Sequence, residues 1–209
     1  SVNPNNVYLF EPIPVLYKNL KLLLKKAKHF KIALSNEVSD KQFKIPYINN
    51  VEYQTRGTLN TTYVEKDESK VQIIDVKTDT LDNFVKEQNV KRIDLIKIDV
   101  EGHENTVLEG GKSTLENSKP VLFVEIEQRH HTESIQNIVN NVLALNYKCY
   151  YFEPSTLTLK ELDVDPASLQ DESAFKSAAY INNFIFLPDT PSFAEKVVSI
   201  NSTIQERIS

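Results

Sequence analysis

Residues 94–104 read Asp-Leu-Ile-Lys-Ile-Asp-Val-Glu-Gly-His-Glu, an apolar run that opens into Asp99, Glu101, His103 and Glu104 within six positions. Carboxylates can accept hydroxyls or hold a cation, and an imidazole can take up or release a proton near neutral pH. Asp99 and Lys97 fall on one side of an extended strand, because side chains alternate with period two. A lysine inside an apolar strand is costly unless its amine reaches water or an anion. Two readings follow. Either Lys97 pairs with a carboxylate and orders the strand end, or Asp99 faces a ligand while Lys97 sets its charge state. Gly102 permits a sharp turn from strand to helix and lets a ligand approach the backbone. His103 and Glu104 then enter a first helical turn, where an acid is favoured by the helix dipole and His103 could shuttle a proton.

Other acids end other apolar segments. Glu11 follows residues 7–10 (Val-Tyr-Leu-Phe), and Glu125 and Glu127 flank the end of residues 121–126. In an open parallel sheet, ligands bind beyond the carboxyl ends of the strands, so these acids and Asp99 are expected to converge on one crevice. Glu11 is equally well read as a bidentate acceptor for both hydroxyls of a ribose or as a charge favoured by the helix after Pro12. Glu101, after Asp99, is one more acid at the same strand end, and Glu125 is expected at the same crevice. Asp99, Glu125 and Glu127 could hold a hard divalent cation, but acids on separate strands are weak grounds, and no metal site is assigned. The adjacent His130 and His131 follow closely enough for a crevice role, although neighbouring histidines in a loop are more often solvated than catalytic. Arg56 and Tyr63 could meet a substrate from a polar loop at residues 49–69, although a plain surface loop is the commoner use.

The elements needed to position these groups can be read from periodicity. Residues 7–10 form a short β-prone run. Pro14 suits a first helical turn, after which Ile13, Leu16, Tyr17, Leu20, Leu23, Leu24 and Ala27 recur at helical spacing. Residues 30–34 predict a second strand, closed by Ser35 and Asn36. Residues 43–47 and 71–76 predict shorter strands in a hairpin-like excursion, and Thr80 is placed to cap a helix. Residues 93–100 are almost continuously apolar, as a central parallel strand covered on both faces would be. A helix over residues 104–115 is interrupted near Gly110-Gly111. Strands follow at 121–126, 147–152, 156–162 and 183–187, with a helix capped by Thr132, Asn146 stopping it, and a last helix from Pro191. This order predicts a Rossmann-like α/β sheet, mostly parallel with an antiparallel edge strand and helices on both faces.

Composition excludes several classes. The 209 residues are 40% apolar and 25% charged, a globular balance. A net charge of −5 argues against a nucleic-acid partner, which demands clustered excess Lys and Arg. The densest basic stretch, Lys25, Lys26 and Lys28, suits the wet face of a helix. Cys149 is the single cysteine, so no internal disulfide can form, and it reads as an inert core thiol. No apolar run is long enough for a bilayer and no signal peptide is visible, so no membrane partner and cytoplasmic residence are the default expectations. The sequence contains no methionine and four glycines: Gly57, Gly102, Gly110 and Gly111. Either it is a fragment or modified methionines are missing from it.

Residues 94–104, followed by Val107-Leu108-Glu109-Gly110-Gly111 and Lys119-Pro-Val-Leu-Phe-Val-Glu-Ile126, strongly resemble the FkbM family of S-adenosyl-L-methionine-dependent methyltransferases. Tyr8-Leu-Phe-Glu-Pro12 and Ile32-Ala-Leu-Ser-Asn36 match earlier signatures of that family in order and spacing. The resemblance covers roughly residues 7–187. It implies a seven-stranded methyltransferase sheet and methyl transfer, usually to a hydroxyl of a sugar or other small metabolite. Carried over by residue, it implies that Glu11 binds the cofactor ribose and that Ser35 and Asn36 lie near the adenine. Asp99 would sit by the sulfonium and the acceptor, with Glu101 and His103 close to the acceptor. Asp99 or His103 is the candidate for proton handling.

The likeness fails at the start of the chain. Members of that family place a first strand and a Gly-Ala-Asn-x-Gly-like loop before the Glu11 strand, and residues 1–6 contain nothing equivalent. Residues 1–209 are therefore expected to form a single methyltransferase-like domain lacking that strand and loop. Two rival expectations stand beside an O-methyltransferase. One is a non-catalytic binding or assembly module that has lost cofactor binding; the other is a metal-dependent enzyme on the same sheet.

Overall fold

The computed structural model describes residues 3–175 and 177–208, which divide into two units. The first comprises residues up to Asn89 together with Thr106–Lys112. The second comprises Val90–Asn105 and the residues from Ser113 onward.

In the first unit, Tyr8–Phe10 (β1) pairs in parallel with Lys28–Phe30 (β2). Pro14–Leu23 (α1) connects them, with proline at the first helical position, where its missing N–H removes no helical bond. The helix stops short of Ala27 because Leu24 leaves helical backbone geometry at φ −114° and ψ 54°. Residues 30–34, expected as one strand, are divided between two sheets. Phe30 ends β2, and Ala33–Ser35 (β3) belongs to a four-stranded sheet with Ser39–Ile48 (β4), Val51–Glu52 (β5) and Glu68–Thr80 (β6). Its order is β3-β6-β4-β5, and the expected hairpin-like excursion is the antiparallel β4–β6 pair. Ile13, Ala33, Phe43, Ile45 and Val76 make its buried core.

Leu81–Glu87 (α2) follows β6 directly. As its sequence predicts, the Thr80 hydroxyl caps it, accepting from the Asn83 amide at 3.0 Å. The buried Phe84 of α2 presents its ring edge-on to Tyr8, Phe10 and Phe30, at centroid distances of 5.7, 4.7 and 4.7 Å. This favours the aromatic quadrupoles and joins α2 to the β1–β2 pair. Thr80→Ala should destabilise the protein by about 1 kcal/mol in urea denaturation with an unchanged m-value.

The second unit contains Leu95–Ile98 (β7), Val121–Glu125 (β8), Tyr147–Glu153 (β9), Thr158–Glu161 (β10) and Asn183–Pro188 (β11). They form one sheet in the order β10-β9-β11-β8-β7. Phe184 and Phe186 of β11 lie opposite Val124 and Leu122 of β8, and all four side chains are fully buried. Gln136–Leu143 (helix five in chain order) buries Ile138, Val139 and Val142, and Asn146 takes the left-handed conformation at φ 58°. The helix begins later than Thr132, and Ile135, not Thr132, is its N-cap. Cys149 is free and buried, and burial pushes its thiol pKa up, which suits the inert role read from sequence.

The sheets depart from a mostly parallel arrangement. Among the described residues, β1–β2, β3–β6 and β7–β8 pair in parallel, whereas β4–β5, β4–β6, β8–β11, β9–β11 and β9–β10 are antiparallel. Short connections favour this: residues 154–157 join β9 to β10, too few for a parallel crossover. The antiparallel edge strand is β10, but β11 is also antiparallel and lies inside the sheet. The segment expected as a central strand supplies β7, which is shorter and stands at the sheet edge, with Leu95 60% exposed. No helix among the described residues is long and apolar enough to cross a membrane.

Candidate functional site

Glu11 leaves β1 with its amide bonded to the Phe30 carbonyl at 3.1 Å. Its Oε1 accepts the Ile13 amide at 2.7 Å, immediately ahead of α1. Of the two roles read from sequence, the geometry thus realises helix-end binding. The carboxylate still has acceptor capacity beyond that single bond. Burial raises its pKa, partly opposed by the Ile13 amide. Ser35 is fully buried at the end of β3. Asn36 is exposed, and its amide donates to Glu109 Oε2 at 3.1 Å. Gly110 lies so close that a Cβ there would stand 1.9 Å from the Ser35 carbonyl oxygen. Glycine is required by that approach.

Arg56 ends a 3-10 turn at Gln54–Arg56, within the loop at residues 49–69. Its guanidinium pairs with the buried Glu65 carboxylate at 3.3 Å and lies 5.4 Å from the Tyr53 ring centre. Tyr63 donates to the same Glu65 oxygen at 3.5 Å. Arg56 therefore orders its own loop. The adjacent buried pair Lys44–Glu68, at 2.9 Å, has no clear mark in the sequence beyond a lysine in an apolar strand.

In the second unit, β7 delivers Lys97 with its ammonium 3.1 Å from Asp99 Oδ2 and 3.7 Å from Glu125 Oε2. The pairing read from sequence is present. Because the Lys97 and Asp99 side chains are 40% and 48% exposed, it contributes at most about 1 kcal/mol. Glu101 and Gly102 then adopt successive left-handed conformations, at φ 49° and 87°, and turn the chain sharply into Glu104–Gly110 (α3). Glycine takes this conformation freely; Glu101 takes it at a cost. His103 precedes α3 by one residue, not within its first turn as expected.

Glu104 is not a solvated helix-start acid. It is 2% exposed, its Oε1 accepts the Gly102 amide at 2.9 Å, and its Oε2 lies 2.9 Å from His131 Nε2. His130 and His131 are likewise not solvated. His130 is buried, with Nε2 3.3 Å from Glu101 Oε2. The cause lies in β7 and β8, which run parallel with Ile98 level with Val124, so the segments that follow them emerge at the same edge. Glu127 is held by Arg129 at 2.5 Å, the Tyr180 hydroxyl at 3.1 Å and the Asn182 amide at 3.2 Å. Asn182 also donates to Glu125 at 2.9 Å.

This crowding separates the protonation behaviour of the acids. Burial, with repulsion from Asp99, Glu127 and Glu125, pushes Glu101 up to about 8 against the pull of Arg129. Burial and the Asp99 charge also raise Glu125 against Lys97. Burial alone would raise Glu127, but the hydrogen bond and charge of Arg129, with Asn182, bring it below its ordinary value. No group of three or more His, Cys, Asp or Glu side chains among the described residues has the geometry to hold a metal ion.

A family model described as the methyltransferase FkbM domain matches residues 3–149. The chain belongs to the FkbM methyltransferase family. The matched region includes β1, β7, β8 and the acids that follow them, as the sequence resemblance implied. No curated protein matches the chain. Among solved structures, it is similar to a methyltransferase FkbM from Methylobacillus flagellatus KT, at 12% identity and a TM-score of 0.50. That likeness is one of fold. It covers 87% of this chain and 36% of the other, so the chain spans about a third of that FkbM structure.

Proposed function

We propose that this family member transfers a methyl group from S-adenosyl-L-methionine to a hydroxyl of a sugar or other small metabolite. The observation that carries the reading is the FkbM match through the segment that forms β7, the Glu101-Gly102 turn and the start of α3. S-adenosyl-L-methionine supplies a methyl carbon made electrophilic by the attached sulfonium. The donor set suits its ribose: Glu11 retains acceptor capacity after receiving the Ile13 amide, enough for a vicinal diol. Ser35 and Asn36 are assigned to the adenine end. Asp99 is assigned to the sulfonium side, where a carboxylate is favoured beside positive charge. Glu101 and Glu125 are assigned to the acceptor, and His103 remains beside it. The chain's work is to align a nucleophilic oxygen with the methyl carbon and to take its proton.

Binding of the product cofactor tests the reading directly. S-adenosylhomocysteine at a hundred times its Kd should stabilise the full chain by about 2.7 kcal/mol in a thermal melt. Glu11→Ala should greatly reduce that shift. Absence of any shift with wild-type protein would favour a module that does not bind the cofactor.

A further inference from the structure

We infer that His131, oriented by Glu104, accepts the proton of the methyl acceptor's hydroxyl; this assignment rests on the methyl-transfer reading above. Glu104 is almost completely buried and uses its two oxygens differently. One takes the Gly102 amide, fixing it to the turn after β7, and the other faces His131 Nε2 at 2.9 Å. A carboxylate at Nε2 selects the tautomer with its proton there, leaving the Nδ1 lone pair available. Among the described residues Nδ1 has no hydrogen-bond partner. The His131 side chain keeps 15% of its surface exposed. One edge of the ring is thus anchored and the other can receive a proton.

The backbone carrying His131 is also held. The Gln128 amide nitrogen donates to the carbonyls of His131 and Glu133, at 3.2 and 2.9 Å, while its Oε1 accepts the Ile135 amide at 3.0 Å. Gln170 Oε1 accepts the Gln128 backbone amide at 2.7 Å. A base whose support is fixed in this way is presented without reorganisation at the moment of reaction. Asp99 is already engaged, its carboxylate lying 3.1 Å from the Lys97 ammonium.

The step balances in charge and electrons. The hydroxyl proton passes to Nδ1 as the oxygen bonds to the methyl carbon. The carbon–sulfur electron pair stays on sulfur, leaving a neutral thioether. The positive charge that began on the sulfonium ends on the His131 imidazolium, next to the buried Glu104 carboxylate, where weak screening strengthens the attraction.

The test compares wild-type full chain with His131→Ala. Three measurements are made: S-adenosylhomocysteine binding, ring-nitrogen NMR of wild type, and S-adenosyl-L-methionine turnover with a mixture of methyl glycosides of glucose, rhamnose and fucose. In wild type at pH 8, the His131 ring is expected to carry its proton on Nε2 with Nδ1 bare. His131→Ala should bind S-adenosylhomocysteine like wild type, lose turnover by about 10²–10⁴-fold, and recover part of it when imidazole is added. A proton on Nδ1, unchanged turnover in the variant, or a loss that imidazole does not relieve would each overturn the assignment. If the glycosides are not methylated, the ring spectrum decides. Failure of wild type to bind S-adenosylhomocysteine would instead remove the methyl-transfer reading on which the assignment stands.

Discussion

Glu101→Gln should stabilise the protein increasingly as the pH rises from 5 to 9, with little difference from wild type at the acid end. In wild type the folded-state pKa of Glu101 is raised from 4.5 to about 8, chiefly by burial. The native state therefore holds a proton that the unfolded chain releases. Its stabilising contribution is complete below pH 4.5 and is lost as pH rises through about 8. Across the whole window this one group costs wild type about 4 kcal/mol, at a slope of up to about 1.4 kcal/mol per pH unit. Glutamine keeps the shape and cannot ionise. Urea denaturation of both proteins at pH 5.5, 7 and 8.5 isolates the effect, because Glu125 and Glu127 titrate in both. A difference between the two proteins that does not vary with pH would show that Glu101 ionises as an ordinary surface acid.

Gly110→Ala should destabilise the first unit by about 3 kcal/mol, near the upper end for overpacking. The added methyl would meet the Ser35 carbonyl oxygen at 1.9 Å, its carbon at 2.9 Å and Asn36 Cα at 3.0 Å. All three are backbone atoms, so no side chain can rotate away. The strand end carrying Ser35 and Asn36 must move, and S-adenosylhomocysteine affinity should fall along with stability. Gly111→Ala provides the comparison. Its methyl would first meet Leu81 Cδ2 at 2.8 Å, the far end of a flexible side chain, so the cost should be well below that at Gly110. Equal melting temperatures for the two variants would contradict the close approach of Gly110 to Ser35.

The difference between these glycines also shows what could be read from sequence. Periodicity exposes elements whose burial is local. Apolar runs ending in Glu-Pro, Asp-Val-Glu-Gly and Glu-Ile-Glu mark β1, β7 and β8, and Thr80 marks the start of α2. The approach of Gly110 to Ser35 joins residues far apart in the chain, so the Gly110-Gly111 pair could only be read as a helix break. Strand pairing is hidden for the same reason. Nothing local tells β11 to enter between β8 and β9, or splits residues 30–34 between two sheets. Lys97 and Asp99 were legible because period-two alternation places them together. Glu104 was not, since an acid at a helix start is ordinary and its burial depends on where the segment after β8 lies. The adjacent His130 and His131, at the end of a strand parallel to β7, were the available clue.

The position of β11 also bears on synthesis. The chain emerges from the ribosome in order, so β7–β8 and β9–β10 can each pair before residues 183–188 exist. These pairs cannot be joined as in the finished sheet until β11 is inserted between β8 and β9. Phe184 and Phe186, which cover Val124 and Leu122, arrive with that strand. The nascent second unit thus leaves the facing edges of β8 and β9 open until residues 183–188 have been made. Such edges are templates for unintended pairing, so the interval before β11 arrives is when the unit most needs shielding from other chains.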